Sequence, residues 1–122
     1  MNNNLYDKAY DFAVSVIKAY QKITIQRKEY TLMKQFLRSG TSIGSNISDA
    51  NGSFSKADFA YKMSLSYKEC LETKYWLNLL KNTGYITEDE FTILFEQADE
   101  LARILYTIIK KTRYRNNHVS NS

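Results

Sequence analysis

The chain contains no proline and only four glycines in 122 residues. Because these two residue types most often interrupt regular structure, their scarcity excludes a loop-rich fold and favours long helices. A single cysteine excludes an intramolecular disulfide, and with one histidine it cannot build a zinc site. No apolar run reaches the roughly 18 residues of a membrane helix. The N-terminus also lacks the basic-then-apolar order of a secretion signal. We therefore expect a cytoplasmic protein without a membrane segment.

Patterns that carry catalysis are equally scarce. The one histidine, His118, falls in a predicted C-terminal tail, whereas a catalytic triad needs a base fixed beside its nucleophile. Glu69 and Glu72 lack the Glu-x-x-His partners of di-iron bundles, so we interpret them as an ion-pairing face. There is no phosphate-binding glycine loop and no dinucleotide fingerprint. These absences predict a protein that is not an enzyme and has no cofactor, no metal and no small-molecule substrate.

Helical periodicity covers almost the whole chain, and no strand-like alternation is sustained. The apolar spacing predicts helices from about Leu5 to Ile25, from Thr31 to Asn51, from Ser55 to Asn82, and from Thr87 to Arg115. Capping boxes at Ser55 and Thr87 and a glycine stop at Gly84 mark the boundaries. We expect the third helix to be the longest. The sequence thus predicts an all-α, antiparallel up-down-up-down four-helix bundle over residues 1–115, with a disordered tail over 116–122.

The second helix has two unusual features. A row of small polar residues runs along it at helical spacing, consisting of Ser39, Ser42, Asn46 and Asp49. This row is either a polar seam that sets the register between helices or subunits, or a set of groups that satisfy backbone atoms near the helix end. Gly40 and Gly44 in the same helix indicate either close approach of a neighbouring helix or a kink at Gly44.

The third helix has more apolar surface than one bundle core can cover. Besides its core seam it carries a second apolar and aromatic set, formed by Tyr61, Leu65, Tyr75, Trp76 and Leu79. Either this helix lies centrally in the bundle, or its second face is an interface with another subunit.

Positive charge is concentrated at the two ends of the chain. The formal net charge is +4, and residues 101–122 contain five Lys or Arg and no acid. Two basic groups are candidates for nucleic-acid contact: Lys18, Lys22, Arg27, Lys28, Lys34 and Arg38 on the first helical hairpin, and Lys110, Lys111, Arg113 and Arg115 at the end of the fourth helix. In an antiparallel bundle these groups lie at opposite ends. Ten tyrosines offer stacking platforms for bases, although tyrosine is equally typical of protein interfaces.

Several of these motifs occur together in one known family. The segment Ser42-Ile-Gly-Ser-Asn-Ile-Ser-Asp49, then Gly52, Ser55-Lys56 and Phe59, then Glu69-Cys-Leu-Glu72, Leu77 and Gly84-Tyr85-Ile86, resembles the four helix bundle proteins. This family is also called 23S rRNA-intervening-sequence protein or S23 ribosomal protein. The resemblance covers about residues 5 to 112. The chain departs from it at Gly44, Ser48 and Asp49, where the family usually has proline, alanine and glutamate.

The resemblance implies a cytoplasmic bacterial protein whose relatives form ring-shaped homopentamers. Some relatives are encoded within sequences inserted in 23S rRNA genes, and a related group of bundles assists retroelement reverse transcriptases. We therefore expect a non-enzymatic homo-oligomer that acts as an accessory to RNA or DNA. The alternative is a structural or protein-interaction ring with no nucleic-acid role.

Overall fold

The computed structural model describes the backbone of residues 3–120 and the side chains of residues 4–113. It consists of four helices: α1 (Asn3–Arg27), α2 (Thr31–Asn51), α3 (Lys56–Asn82) and α4 (Glu88–Ser120). Over the described backbone there is no strand. Each helix packs against its two neighbours in chain order around a square, most extensively between α2 and α3 and least between α1 and α4. The predicted antiparallel four-helix bundle is confirmed.

Helix lengths agree with the periodicity except at the C-terminus. α3 has the expected 27 residues, but α4 has 33, so the prediction that the third helix is the longest is wrong. α4 continues to Ser120 because no proline or glycine follows the last apolar positions. The side chains of the predicted disordered tail, residues 116–122, lie outside the described residues. The tail and the domain boundary at 115 therefore stay predictions.

Side-chain caps fix the starts of α3 and α4. The Ser55 hydroxyl accepts a 3.0 Å hydrogen bond from the Asp58 backbone N–H. At α4 the capping box is complete: the Thr87 N–H donates to Glu90 Oε1 at 2.8 Å, and the Glu90 N–H donates to Thr87 Oγ1 at 3.1 Å. Each cap satisfies backbone donors that have no partner inside the helix.

The α3–α4 turn depends on one glycine with a left-handed backbone. Gly84 has φ +82°, and its N–H donates to the Lys81 carbonyl. The next residue, Tyr85, donates its N–H to the Leu80 carbonyl at 2.9 Å, which completes a Schellman motif. Ile86 is buried beyond this turn. The turn reverses the chain so that α4 packs back along α3.

A single apolar core runs the length of the bundle. All four helices contribute to it; its largest fully buried side chains include Phe12, Phe36, Met33, Ile43, Met63, Leu77, Leu101 and Leu105. α1 and α2 pack tightly at Gly40, where a Cβ atom would lie 2.8 Å from Val16 Cγ2. At Gly44 a Cβ atom would meet Ala9 at an ordinary 3.6 Å. Gly40 therefore marks the close approach of the two helices.

Candidate interaction surfaces

The polar row of α2 lies along the side of the helix that faces α3. Ser39 is fully buried, and its hydroxyl accepts a 2.9 Å hydrogen bond from Thr73 Oγ1 of α3. Ser42 and Asn46 instead donate to carbonyls of α2, at Arg38 and Ser42 respectively. Asp49 is exposed and lies 3.9 Å from Lys62 Nζ. The row thus combines one inter-helix hydrogen bond with bonds inside its own helix, and its role in subunit register stays a prediction.

A second buried serine strengthens the same junction from the α3 side. Ser66 is fully buried and donates a 2.8 Å hydrogen bond to the Ile43 carbonyl of α2. Buried hydroxyls of this kind need partners, and here they find them across the helix interface. The sequence pattern did not reveal this contact, because Ser66 is a polar residue on the buried, mostly apolar face of α3.

Arg38 of the first basic group is bound within the protomer. Its guanidinium contacts Glu69 at 3.2 Å and makes a second, closer contact with Glu72. The hydrogen bond from Arg38 lowers the pKa of Glu72, whereas desolvation raises the pKa of Glu69. Trp76 Nε1 also donates to Glu72 at 3.2 Å. Arg38 therefore neutralises two carboxylates on α3, and this cluster explains the Glu69 and Glu72 pair.

Two further members of the first basic group are also engaged. Lys22 lies 3.1 Å from Glu90 of α4. Arg27 donates a 2.7 Å hydrogen bond to the Gly84 carbonyl and stacks over the Tyr85 ring, which places the first hairpin loop beside the α3–α4 turn. The remaining three residues of the group are exposed: Lys18, Lys28 and Lys34. Three of the six residues of the first basic group thus have partners within the protomer.

The second basic group lies along α4, at the end of the bundle opposite the first hairpin. Lys110, Lys111 and Arg113 are exposed, while the side chain of Arg115 lies outside the described residues. Lys110 and Arg113 line a groove between α3 and α4 together with Lys68 and Tyr106. Sequence reasoning missed Lys68 and Tyr106 because their connection to the C-terminal group requires the antiparallel packing of two helices.

The predicted second face of α3 is only partly open. Tyr61 is 59% exposed and Tyr75 is 57% exposed, and Tyr75 packs edge-on against Trp76. Trp76, Leu65 and Leu79 are half-buried. The part of this face that remains exposed is therefore mainly tyrosine, and its role as a subunit interface stays a prediction.

A different surface, formed by α1 and α2, is poor in charged side chains, with Lys34 at its edge. On α1, Lys8 pairs with Glu100 of α4, and Lys22 pairs with Glu90 of α4. The charged residues of α1 between these two lysines lie on the same side of the helix, because they follow helical spacing. On α2, Arg38 and Asp49 pair with Glu69 and Lys62 of α3. The remaining α1/α2 face consists of Tyr6, Tyr10, Ile17, Leu37, Thr41 and Ser48. Its signal in the sequence is the concentration of most α1 charges on the opposite side of that helix.

The exposed part of the α1/α2 face is aromatic and aliphatic. Tyr6 is 37% exposed, Tyr10 is 57% exposed and Ile17 is 40% exposed. The Tyr6 and Tyr10 rings pack with centroids 6.2 Å apart. Beside them α2 contributes small side chains at Thr41 and Ser48, one helical turn from Gly44. A neighbouring molecule can therefore approach this face closely at Tyr10, Ile17 and the small side chains of α2.

Titratable groups in the described part of the chain form no metal cluster of His, Cys, Asp and Glu. The lone thiol, Cys70, is fully buried, and desolvation raises its pKa to about 12. A thiolate is the nucleophilic form, so this side chain is inert in the folded protein. Of the described helices, none is long and apolar enough to span a membrane.

These features define an all-α four-helix bundle. The chain matches the family described as 23S rRNA-intervening sequence protein over residues 1–107, and it belongs to that family. A solved structure that it resembles is a protein with unknown function from the S23 ribosomal protein family of Bacteroides thetaiotaomicron. The two share 42% sequence identity over 87% of this chain and 98% of that chain, with a TM-score of 0.86. Comparison with curated proteins finds no match.

Proposed function

We propose that this protein is a non-enzymatic, cytoplasmic homo-oligomer that acts as an accessory to nucleic acid. The proposed assembly is a pentamer, the state that the family resemblance implies. The observation that carries self-association is the α1/α2 face, which is poor in charge and exposes Tyr10 and Ile17. A chain with a net charge of +4 meets another copy of itself with less repulsion through such a face.

Ring geometry requires two different contact surfaces on each copy. A cyclic ring with an odd number of subunits joins unlike patches head to tail, because a patch that pairs with itself produces only a closed dimer. The α1/α2 face supplies one such patch. The exposed tyrosines of α3, Tyr61 and Tyr75, lie on another side of the bundle and supply a candidate for the second. Aromatic residues of this kind are enriched in protein interfaces.

Light scattering of the purified protein tests the assembly. We expect a mass near five times the 14.3 kDa of one chain. Ile17→Glu places a charge at the centre of the α1/α2 face and should reduce the mass toward that of the protomer. Ile93→Glu is the matched control, since Ile93 is an exposed isoleucine on α4, outside this face. A monomeric wild-type protein would overturn the proposal, as would equal masses for wild type and Ile17→Glu.

Assembly also strengthens attraction to nucleic acid. Five copies of a chain with net charge +4 carry about +20, and ring symmetry repeats each basic patch. Binding to a mixed-sequence RNA should therefore weaken steeply with salt, because phosphate neutralisation releases counterions.

The alternative is a protein-interaction ring without a nucleic-acid role. It is favoured by the engagement of Lys22, Arg27 and Arg38 within the protomer, which removes half of the first basic group from an external partner. An assembled wild-type protein that fails to bind RNA at low salt would establish this alternative over the nucleic-acid role.

A further inference from the structure

A continuous groove runs between α3 and α4 on the side of the bundle opposite the α1/α2 face. It consists of two adjoining hollows of about 490 and 350 Å³ that share Tyr67, Leu71 and Tyr106. Along α4 it extends from Asp99 to Arg113, a distance of about 21 Å at 1.5 Å per residue. This length suits an extended chain of several units better than one small molecule.

The groove contains an unusual excess of positive charge. Its lining residues include one carboxylate, Asp99, and five cations: Lys68, Lys74, Arg103, Lys110 and Arg113. Their sum is +4, which equals the formal net charge of the entire chain. The rest of the chain is therefore neutral in sum, and the groove carries the excess of positive charge.

The single carboxylate does not oppose an anionic ligand. Asp99 is 2.7 Å from Lys74 Nζ and 3.1 Å from Arg103 Nε. The hydrogen bond from Lys74 lowers the pKa of Asp99, so this group is ionised and paired at neutral pH. The part of the groove nearer the α4 C-terminus has cations without any carboxylate among its lining residues. An anion is thus favoured most strongly at Lys68, Lys110 and Arg113.

Aromatic rings lie between these charges. Tyr67 of α3 and Tyr106 of α4 pack with centroids 6.0 Å apart and an interplanar angle of 44°. Tyr106 is 53% exposed, which leaves ring surface open to the groove. Leu71 and Ile109 flank the pair and make the floor apolar. Flat apolar groups can stack here while anionic groups reach the surrounding cations.

We propose that the α3/α4 groove binds single-stranded nucleic acid. Bases stack on the ring pair, and phosphates bind the cations at the C-terminal part: Tyr67, Tyr106, Lys68, Lys110 and Arg113. Alternating bases and phosphates match this combination, since single-strand sites combine a cationic groove with aromatic platforms. A duplex fits less well, because its bases are stacked inside and present only phosphate to the tyrosines. This inference rests on the nucleic-acid role proposed above and adds its site and strand preference.

Tyrosine substitutions test the stacking. The probe is a fluorescein-labelled mixed-sequence single-stranded RNA of 20 nucleotides, measured by anisotropy with the full-length protein. We expect Tyr106→Ala to weaken binding by about fivefold or more, the range found for loss of one stacked base, and Tyr106→Phe to bind as wild type. Tyr30→Ala is the matched control, because Tyr30 is 52% exposed on the first hairpin beside the rival basic group.

Charge substitutions test the phosphate contacts. The triple variant Lys68→Gln, Lys110→Gln and Arg113→Gln should reduce the slope of log affinity against log salt by about 2, since each phosphate contact with a single strand contributes about 0.7. The control removes the same number of charges from the other end of the bundle, at Lys18, Lys28 and Lys34. Circular dichroism and light scattering verify that every variant remains folded and assembled.

The outcomes separate this inference from the proposed function. One outcome would overturn the groove as the binding site and leave the nucleic-acid role intact. In that outcome RNA binding depends on salt, is unchanged in both groove variants and is weakened in the hairpin controls. Absence of binding to wild type at low salt would overturn both. A duplex of the same sequence should bind at least about fivefold more weakly than the single strand. Equal or tighter duplex binding would refute base stacking in the groove.

Discussion

Replacing Gly40 with alanine adds one methyl group at a tight contact between α1 and α2. The new Cβ atom would lie 2.8 Å from Val16 Cγ2, 3.0 Å from Cγ1 and 3.3 Å from Cβ. Val16 is fully buried, and its branched side chain has little rotational freedom, so it cannot move aside. The two helices must separate or distort locally.

The size of the effect follows from two opposing contributions. Overpacking a filled core costs about 1–3 kcal/mol. Alanine is a better helix former than glycine by about 1 kcal/mol, which offsets part of that cost. We therefore expect Gly40→Ala to lower the free energy of unfolding by about 1–2 kcal/mol. At Gly44 the nearest atoms are those of Ala9 at 3.6 Å, an ordinary contact, so Gly44→Ala should stabilise the protein by up to about 1 kcal/mol.

Urea unfolding followed by circular dichroism measures both changes. All proteins are compared at one protomer concentration, since assembly shifts apparent stability. The double variant Gly40→Ala, Val16→Ala restores the missing space, and its destabilisation should be smaller than the sum of the two single effects. A Gly40→Ala protein as stable as wild type, or shifted in the same direction as Gly44→Ala, would refute the close-approach argument.

Two further predictions concern titratable groups. Hydrogen bonding to the Thr87 backbone lowers the pKa of Glu90 below its ordinary 4.5, so its contribution to stability is complete above that value and is lost as pH falls through the lowered pKa. Unfolding measured from pH 7 to 3 should show a stability difference between wild type and Glu90→Gln that shrinks with acid; a constant difference would contradict the linkage. Cys70, with its pKa raised to about 12, should react with a thiol reagent at pH 8 only as fast as the protein unfolds. Rapid modification without urea would show that the thiol is accessible.

Local signals predicted the fold well because contacts among a few adjacent residues determine where these helices begin and end. The cap at Ser55, the left-handed Gly84 and the box formed by Thr87 and Glu90 all depend on contacts within five residues. Apolar periodicity then identified the buried face of each helix without knowledge of its neighbours. The end of α4 was missed because the segment after Arg115 has no local stop signal.

Surface roles were harder to predict because they depend on which helices become neighbours. Arg38 has the sequence character of a free cation, yet its position opposite Glu69 and Glu72 makes it a structural residue. Lys68 lies in an ordinary charged position of α3 and joins Lys110 only through antiparallel packing of α3 and α4. Pairing of this kind links residues 31 to 42 positions apart, beyond the reach of any periodic pattern.

The two proposed surfaces are compatible because of the order of the helices around the square. α1 and α2 are adjacent, as are α3 and α4, so the α1/α2 face and the cationic groove lie on opposite sides of the bundle. Contacts at the α1/α2 face itself therefore leave the groove open, whereas the second ring patch at Tyr61 and Tyr75 lies on α3, two helical turns from Lys68 in either direction. In a ring, a strand that reaches two grooves binds the second one intramolecularly, which raises the overall affinity without any new contact. RNA long enough to reach a neighbouring groove should then bind the assembled protein more tightly than Ile17→Glu protomers, whereas an oligonucleotide confined to one groove should bind both equally. Equal affinities for the long RNA would mean that the grooves act independently.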